Sequence, residues 1–360
     1  MKYKIQFLLF LAIACTVKPE MEGEFSILQG EVQFVDSVRL DDTNFSFAVV
    51  YNPKIYNDSI LGLGEGSFLG IHLFNSQSGN FIASFESDSI DSYQLPKKNY
   101  ANFSIRGDSI FLLNNLTRRV YAFGVDKSYR GYYDLDFGTT MHKPEFLTFF
   151  ERSEGKFLLS SVYDGPLSER FLHSKIVSVF DSKSHILATF GTYPMSYTEG
   201  NLVLSQNEIK ILKHGHVFIL NVAGEPILKQ YNIKGDLVGV FPLISEYFDP
   251  EIGYYDSDPF SAPLTDQFNG LASDLTSDKM VFYASYHSFD TQERDYGLKS
   301  YKWMLMKIDL EQMTIQETQL ADVWHLNEVA NLIPQVKGDT ITIIIRNQDE
   351  TLYLKRLLFK

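Results

Sequence analysis

Residues 338–360 read GDTITIIIRNQDETLYLKRLLFK, and this ending decides the fold. A Gly-Asp-Thr turn opens the β-branched strand 341–345, a polar loop follows, and a second strand, 353–359, runs almost to Lys360. Elsewhere in the chain the same turn-and-strand unit is followed by two strands folded as a hairpin, so here one strand is missing. Near the other end, residues 31–35 (EVQFV) and 37–40 (SVRL) are strand-like and belong to no complete unit. Pairing such an N-terminal strand into the last sheet would close a ring, remove an exposed edge and tie the two ends of the chain together.

Working outward, the unit recurs. Apolar hairpins run 71–74 with 81–85 across Ser78-Gly79, 120–123 with 129–135 across Lys127-Ser128, and 176–180 with 185–190 across Ser182-Lys183-Ser184. A fourth is 227–233 with 237–241 across Lys234-Gly235-Asp236, and a degenerate fifth is 304–308 with 313–315. Small polar residues tolerate the tight or left-handed backbone that hairpin turns need. Six further turns each open a β-branched or aromatic strand: Asn57-Asp58-Ser59, Gly107-Asp108-Ser109, Glu154-Gly155-Lys156, His214-Gly215-His216, Ser277-Asp278-Lys279 and Gly338-Asp339-Thr340. Their spacing of about 50–60 residues is that of one four-stranded propeller blade with its loops. The expectation is therefore an all-β chain folded as a six-bladed β-propeller, closed by an N-terminal strand in the last blade. It occupies one domain, residues 31–360. A β-sandwich pair would not need this period.

Lys2 and Lys4 precede the apolar run 5–14, which has the layout of a secretory signal and about half the length needed to span a bilayer. Cys15, the single cysteine, follows the small residues Ala12 and Ala14. This setting resembles the lipobox of bacterial lipoproteins, and the resemblance implies lipidation of Cys15, with 1–14 as the signal peptide and 15–30 as a flexible tether. An ordinary signal-peptidase cut would instead leave a free thiol on an exported protein, a liability in an oxidising compartment. Glu20, Glu22 and Glu24 look like the acidic export tag of surface-displayed Bacteroidota lipoproteins, though a polar, acidic tether would read the same way. Taken whole, this layout resembles a family of uncharacterised six-bladed β-propeller lipoproteins of Bacteroidota. The resemblance implies localisation at the outer membrane, on its periplasmic or surface face.

The formal net charge is −13, or −15 once Lys2 and Lys4 leave with the signal, and there is no Lys/Arg run to oppose that field. Nucleic acid is therefore an unsuitable partner. With one cysteine no internal disulfide can form, but 44% hydrophobic and 14% aromatic residues suffice for a core that needs no metal or cofactor.

The chain has no nucleophile elbow, zinc-helix motif or phosphate loop. Gly62, Gly64 and Gly66 alternate without a following helix and read as a flexible blade loop. His214 and His216 flank a turn glycine and make only two ligands, so no metal site is assigned. His142, His287 and His325 lie near polar or aromatic neighbours where an acid or base could work, although structural histidines are commoner there. The longest irregular insertion, 244–268, carries Tyr254, Tyr255, Asp256 and Asp258. Rings beside carboxylates suit sugars, whose CH faces stack while hydroxyls donate to acids, and Asp256-Ser257-Asp258 could also contribute to a calcium site. With His287, these four are the candidate ligand-binding residues. The competing reading is a loop that packs its aromatics over the blade edges. No pair among 45 acidic residues stands out as a glycosidase acid and base, so catalytic residues stay unassigned. Asp-Ser/Thr-apolar triplets at 36–38, 58–60, 88–90, 108–110 and 339–341 look like O-glycosylation acceptors and equally like ordinary turns before strands.

Three functions follow as expectations. The first is a non-enzymatic binding or interaction module for a glycan, peptide or envelope protein. The second is an extracytoplasmic hydrolase or lyase with its site at the propeller axis, since propellers host both classes. The third, a structural subunit, would show a large apolar patch on an outer blade edge.

Overall fold

The computed structural model describes residues 25–42, 50–65, 70–86, 102–145, 149–166, 169–195, 197, 208–250, 266–289, 301–323, 330–346 and 351–360. These form six mainly antiparallel sheets and one short helix, α1 (Arg170–His173). The fold is a six-bladed β-propeller.

The first two strands among the described residues are β1 (Ser26–Gln29) and β2 (Val32–Arg39). Blade I is β3 (Val50–Tyr56), β4 (Ile60–Glu65), β5 (Gly70–Asn75) and β6 (Phe81–Glu86). Blade II is β7 (Asn102–Arg106), β8 (Ser109–Asn114), β9 (Arg119–Gly124) and β10 (Tyr129–Asp134). In blade III a short β11 (His142–Pro144) and β12 (Phe150–Ser153) both pair with the long β13 (Lys156–Tyr163), followed by β14 (Val177–Phe180) and β15 (Ile186–Phe190). Blade IV is β16 (Ile209–Lys213), β17 (His216–Leu220), β18 (Ile227–Asn232) and β19 (Leu237–Pro242). Blade V, with the longest strands, is β20 (Gln267–Ser273), β21 (Val281–Phe289), β22 (Tyr301–Asp309) and β23 (Thr314–Val323). Blade VI has only β24 (Ala330–Leu332), β25 (Thr340–Arg346) and β26 (Leu352–Phe359) from its own stretch of chain.

The missing fourth strand of blade VI is β2. It pairs antiparallel with β26 from Val32 opposite Phe359 to Arg39 opposite Tyr353. The two strand-like pieces of the sequence are one strand, bent by a bulge between Phe34 and Asp36. Arg356 on β26 grips both oxygens of Asp36 (3.0 and 2.9 Å) and donates to the Ser76 carbonyl of blade I at 2.6 Å. Gly79, at φ +76°, ends this join: a Cβ there would stand 1.9 Å from the Arg39 carbonyl oxygen, which only glycine permits. Residues 26–29, assigned to the tether from sequence, are already ordered: β1 pairs in parallel with β23 of blade V, and Phe25 is buried. The segment pairs here because β23 offers it an open edge.

Each blade hides its apolar faces against its neighbours. Among the described residues six apolar clusters lie one at each blade junction, from Ile71, Leu73, Phe103 and Leu112 between blades I and II round to Phe218, Phe282 and Met306 between IV and V. The closing cluster joins Leu40, Leu61, Leu63 and Phe74 to Ile333, Ile344, Leu352 and Leu354, so blade VI packs on blade I and the ring is complete. Burying each of these side chains stabilises by about 1.5–3 kcal/mol.

Gly62 and Gly64 correct one expectation. They lie in β4 and not in a flexible loop, and a Cβ on Gly62 would meet the Phe103 ring at 2.5 Å. The alternation reports close blade packing; Gly66 lies outside the described residues.

Candidate functional site

The innermost strands β3, β7, β12, β16, β20 and β24 surround the axis and, with adjoining residues, wall a cavity of about 780 Å³. One end is lined by Asn57, Asp58, Gly107, Leu275 and Thr276, from turns that join first to second strands. Inner strands in a propeller alternate between the axis and a neighbouring blade, so a charged residue on one of them faces either the cavity or a blade junction.

Blades I to III settle their charges internally. Lys54 on β3 uses all three ammonium protons, on the carbonyls of Phe103 (3.0 Å) and Phe150 (2.7 Å) and on Glu151 Oε1 (2.6 Å). Glu151 Oε2 in turn accepts from Ser104 Oγ at 3.0 Å and lies 3.6 Å from Arg106. This group staples three inner strands together and leaves little bonding capacity for a ligand.

Blade IV is different. The sequence Glu208-Ile209-Lys210-Ile211-Leu212 enters β16, and the two-residue strand period puts Glu208 and Lys210 on the same side. Both line the cavity wall and both are buried. The Lys210 ammonium has three protons to donate and no hydrogen-bond partner among the described residues. Burial depresses its pKa, against the opposing pull of Glu145 and Glu208. Burial also drives Glu208 up to about 8, the nearby positive charge of Lys210 only partly offsetting it; Oε2 accepts from Val222 N–H at 3.0 Å. Glu145, behind them on blade III, is raised by burial too, although Arg170 donates to it at 3.0 Å and Tyr193 at 3.5 Å. The result is a pocket wall where an amine resists gaining a proton and a carboxyl resists losing one. Environments that pull two titratable groups apart in this way are able to move protons or to bind a group that both donates and accepts.

Of the ligand-binding residues nominated from sequence, His287 is the one among the described residues. His287, on β21, stands behind the wall: Asn269, which does line the cavity, donates to its Nε2 at 2.9 Å. Asn269 Oδ1 takes the Ser285 hydroxyl proton, which fixes the amide so that Nδ2 is the donor. Burial lowers His287 to about 4, so it is neutral near pH 7 and supports the wall. Tyr254, Tyr255, Asp256 and Asp258 lie outside the described residues, as do Cys15 and His325. The start of their insertion behaves as packing: Phe248 is buried against Phe268 and Tyr286, with ring centroids at 4.7 and 5.5 Å. His142 accepts from Lys175 N–H at 3.1 Å and His214 Nε2 lies 2.7 Å from the Ser277 carbonyl, both structural bonds. Among the described residues no three His, Cys, Asp or Glu side chains converge as a metal set.

Glu208, Lys210 and Glu145 were not singled out by reading the sequence. The available signal was the alternation in 208–212, two opposite charges on one face of an otherwise apolar strand.

No protein family matches the sequence, and no curated protein does. By shape, a member of the DUF4221 family from Bacteroides vulgatus is similar with a TM-score of 0.63 and 10% identity, over 92% of this chain and 99% of that one. A protein of Bacteroides fragilis classed as exported gives 0.57 and 12% identity over 94% and 98%. The hydrazine synthase of Kuenenia stuttgartiensis gives 0.50 and 8% over 86% and 78%. Two of these three neighbours come from Bacteroides, and at such identities what the chain shares with all of them is its fold.

Proposed function

We propose that the chain is an exported binding module of the cell envelope, anchored by lipid on Cys15, which takes its ligand into the axial cavity. The observation that carries this reading is an axial cavity of about 780 Å³ walled by strands of all six blades, with Lys210, whose ammonium is buried and makes no hydrogen bond among the described residues, set in its wall. A buried donor left without a bond costs about 1–3 kcal/mol, more when charged, and a ligand oxygen toward which the Lys210 side chain turns removes that cost. The volume is that of a small-molecule site. A glycan unit or a peptide end fits both the size and the paired donor and acceptor at Lys210 and Glu208. Export is supported by the signal-like start of the sequence and by the description of the Bacteroides fragilis neighbour.

Glycan and peptide arrays probed with residues 25–360, which contain all six blades, test the reading. Binding to one class of either array, weakened at least tenfold by Lys210→Met, is the expected result. Silence on both arrays, or binding indifferent to Lys210→Met, contradicts it.

A second reading, an extracytoplasmic hydrolase or lyase at the axis, is favoured by the Glu208–Lys210 pair itself, since a carboxyl with a pKa of about 8 can act as a general acid. Incubating the array-positive ligand with wild type and Glu208→Gln separates the two: Glu208-dependent turnover assigns an enzyme, and binding without turnover assigns a module.

A further inference from the structure

Between blades II and III a separate groove of about 600 Å³ is lined by Arg106, Arg130 and Arg152, together with Ser109, Phe111 and Tyr133. Three arginines on one groove are unexpected in a chain of net charge −13. Two of them are committed. Arg130 is paired with Asp108 at 2.8 Å, and Arg106 gives its Nε proton to the Arg152 carbonyl at 2.6 Å while standing 3.6 Å from Glu151.

Arg152 is held differently. Its guanidinium carbon lies 4.2 Å from the centroid of Phe111, 5.0 Å from Phe157 and 5.3 Å from Tyr133. Its side chain makes one long hydrogen bond, 3.4 Å to the Tyr133 hydroxyl, and no carboxylate among the described residues comes within ion-pair distance. Glu154 also lines the groove, but it is exposed and faces Lys156 at 4.0 Å. Contact with these three rings holds the guanidinium in place, and most of its five N–H donors have no hydrogen-bond partner among the described residues. A planar donor fork immobilised in advance matches two oxygens of one anion and loses little entropy on binding.

We infer that this groove is an oxyanion subsite, in which the edge of Arg152, assisted by Arg106, receives a carboxylate or phosphate-type group. Arg106 lines the axial cavity as well as the groove. A ligand seated on the axis and carrying an acidic substituent would therefore reach both. The inference goes beyond the axial reading and stands apart from it, because a free inorganic ion needs only the groove.

Isothermal titration of the full chain with acetate and with inorganic phosphate, against sodium chloride at equal ionic strength, is the test. We expect one or both oxyanions to bind where chloride does not, and Arg152→Met, which keeps an unbranched side chain over the rings, to weaken that binding at least tenfold. Arg118→Gln, which removes the same charge outside the groove at a residue paired with Asp164, should change it less than threefold. Binding of acetate alone assigns a carboxylate ligand, and of phosphate alone a phosphorylated one. Should Arg152→Met fail to fold, Arg106→Gln serves in its place and should weaken binding at least threefold. Failure of both ions to bind, equal binding of chloride, or unchanged affinity in the folded variants overturns the inference.

Discussion

Removing residues 25–40 is expected to abolish the folded monomer. The deletion strips β2 from blade VI and exposes the whole of β26, from Leu352 to Phe359, as an unpaired edge. It also removes Leu40, 1% exposed, from the cluster that joins blades VI and I, and takes from Arg356 the Asp36 carboxylate it grips with two bonds. At about 1.5–3 kcal/mol for each buried aliphatic side chain, and with backbone pairing lost besides, the deficit reaches the whole stability of an ordinary domain, about 5–15 kcal/mol. A free edge beside exposed apolar faces is also a template for association. Size-exclusion chromatography and circular dichroism should find aggregate or unfolded chain. A monomer with an unchanged melting midpoint would show that the N-terminal strand does not close the ring.

The second large effect is on pH dependence, and it resides in Glu208. In the unfolded chain its carboxyl titrates at about 4.5, whereas in the folded chain burial holds it near 8. Below 4.5 both states carry the proton. Between 4.5 and 8 the unfolded chain releases it while the folded chain retains it, so stability falls as pH rises across this window and levels off above it. The full excursion corresponds to roughly 5 kcal/mol. Glu208→Gln mimics the protonated carboxyl and cannot titrate, so its stability relative to wild type should climb steadily between pH 4.5 and 8. His287 acts with the opposite sign: lowered from 6.5 to about 4, it withdraws stability as pH falls through that interval. Lys210, also lowered, resists protonation in the same pocket, which is why the comparison is between wild type and variant and not a single slope. In urea titrations between pH 6.5 and 8 the difference between wild type and Glu208→Gln, which share His287, isolates the Glu208 contribution. Parallel curves for the two proteins there would mean that Glu208 is not held protonated.

The architecture was legible because it is written in local signals. Each of the six turns that open second strands uses Gly, Asn, Asp, Ser or His at tight positions, and several carry positive φ in the fold, Asn57, Asp58, Gly107, Gly155, His214 and Gly338 among them. The unpaired strands at the two ends complemented one another because a ring admits no edge. The axial wall was less legible. Lys210 and Glu208 differ from dozens of other charged residues in being buried at the axial wall, and that depends on how six inner strands converge, which no single strand records. Arg152 is harder still: the rings that hold it come from three strands, Phe111 on β8 and Tyr133 on β10 lying 41 and 19 positions away in the chain and Phe157 on β13 only 5. His287 was nominated for its aromatic neighbour, Tyr286. The pleat sends those two side chains to opposite faces, and His287 ends one layer behind the cavity.

The closed ring is the claim on which the cavity and both proposed sites depend, and a disulfide across the join tests it most directly. Ser37 and Lys355 are Cα partners in β2 and β26. The Leu40 N–H to Leu352 carbonyl bond makes 40 and 352 a hydrogen-bonded pair, so by alternation 37 and 355 are a non-bonded pair with Cα atoms about 4.5 Å apart, within disulfide reach. Residues 25–360 contain no cysteine, so Ser37→Cys with Lys355→Cys has one way to pair. The account predicts complete intramolecular oxidation in the folded protein, a faster-migrating band on non-reducing gels and a raised melting midpoint. Two thiols that stay free in the folded monomer, or that link only between molecules, would contradict it.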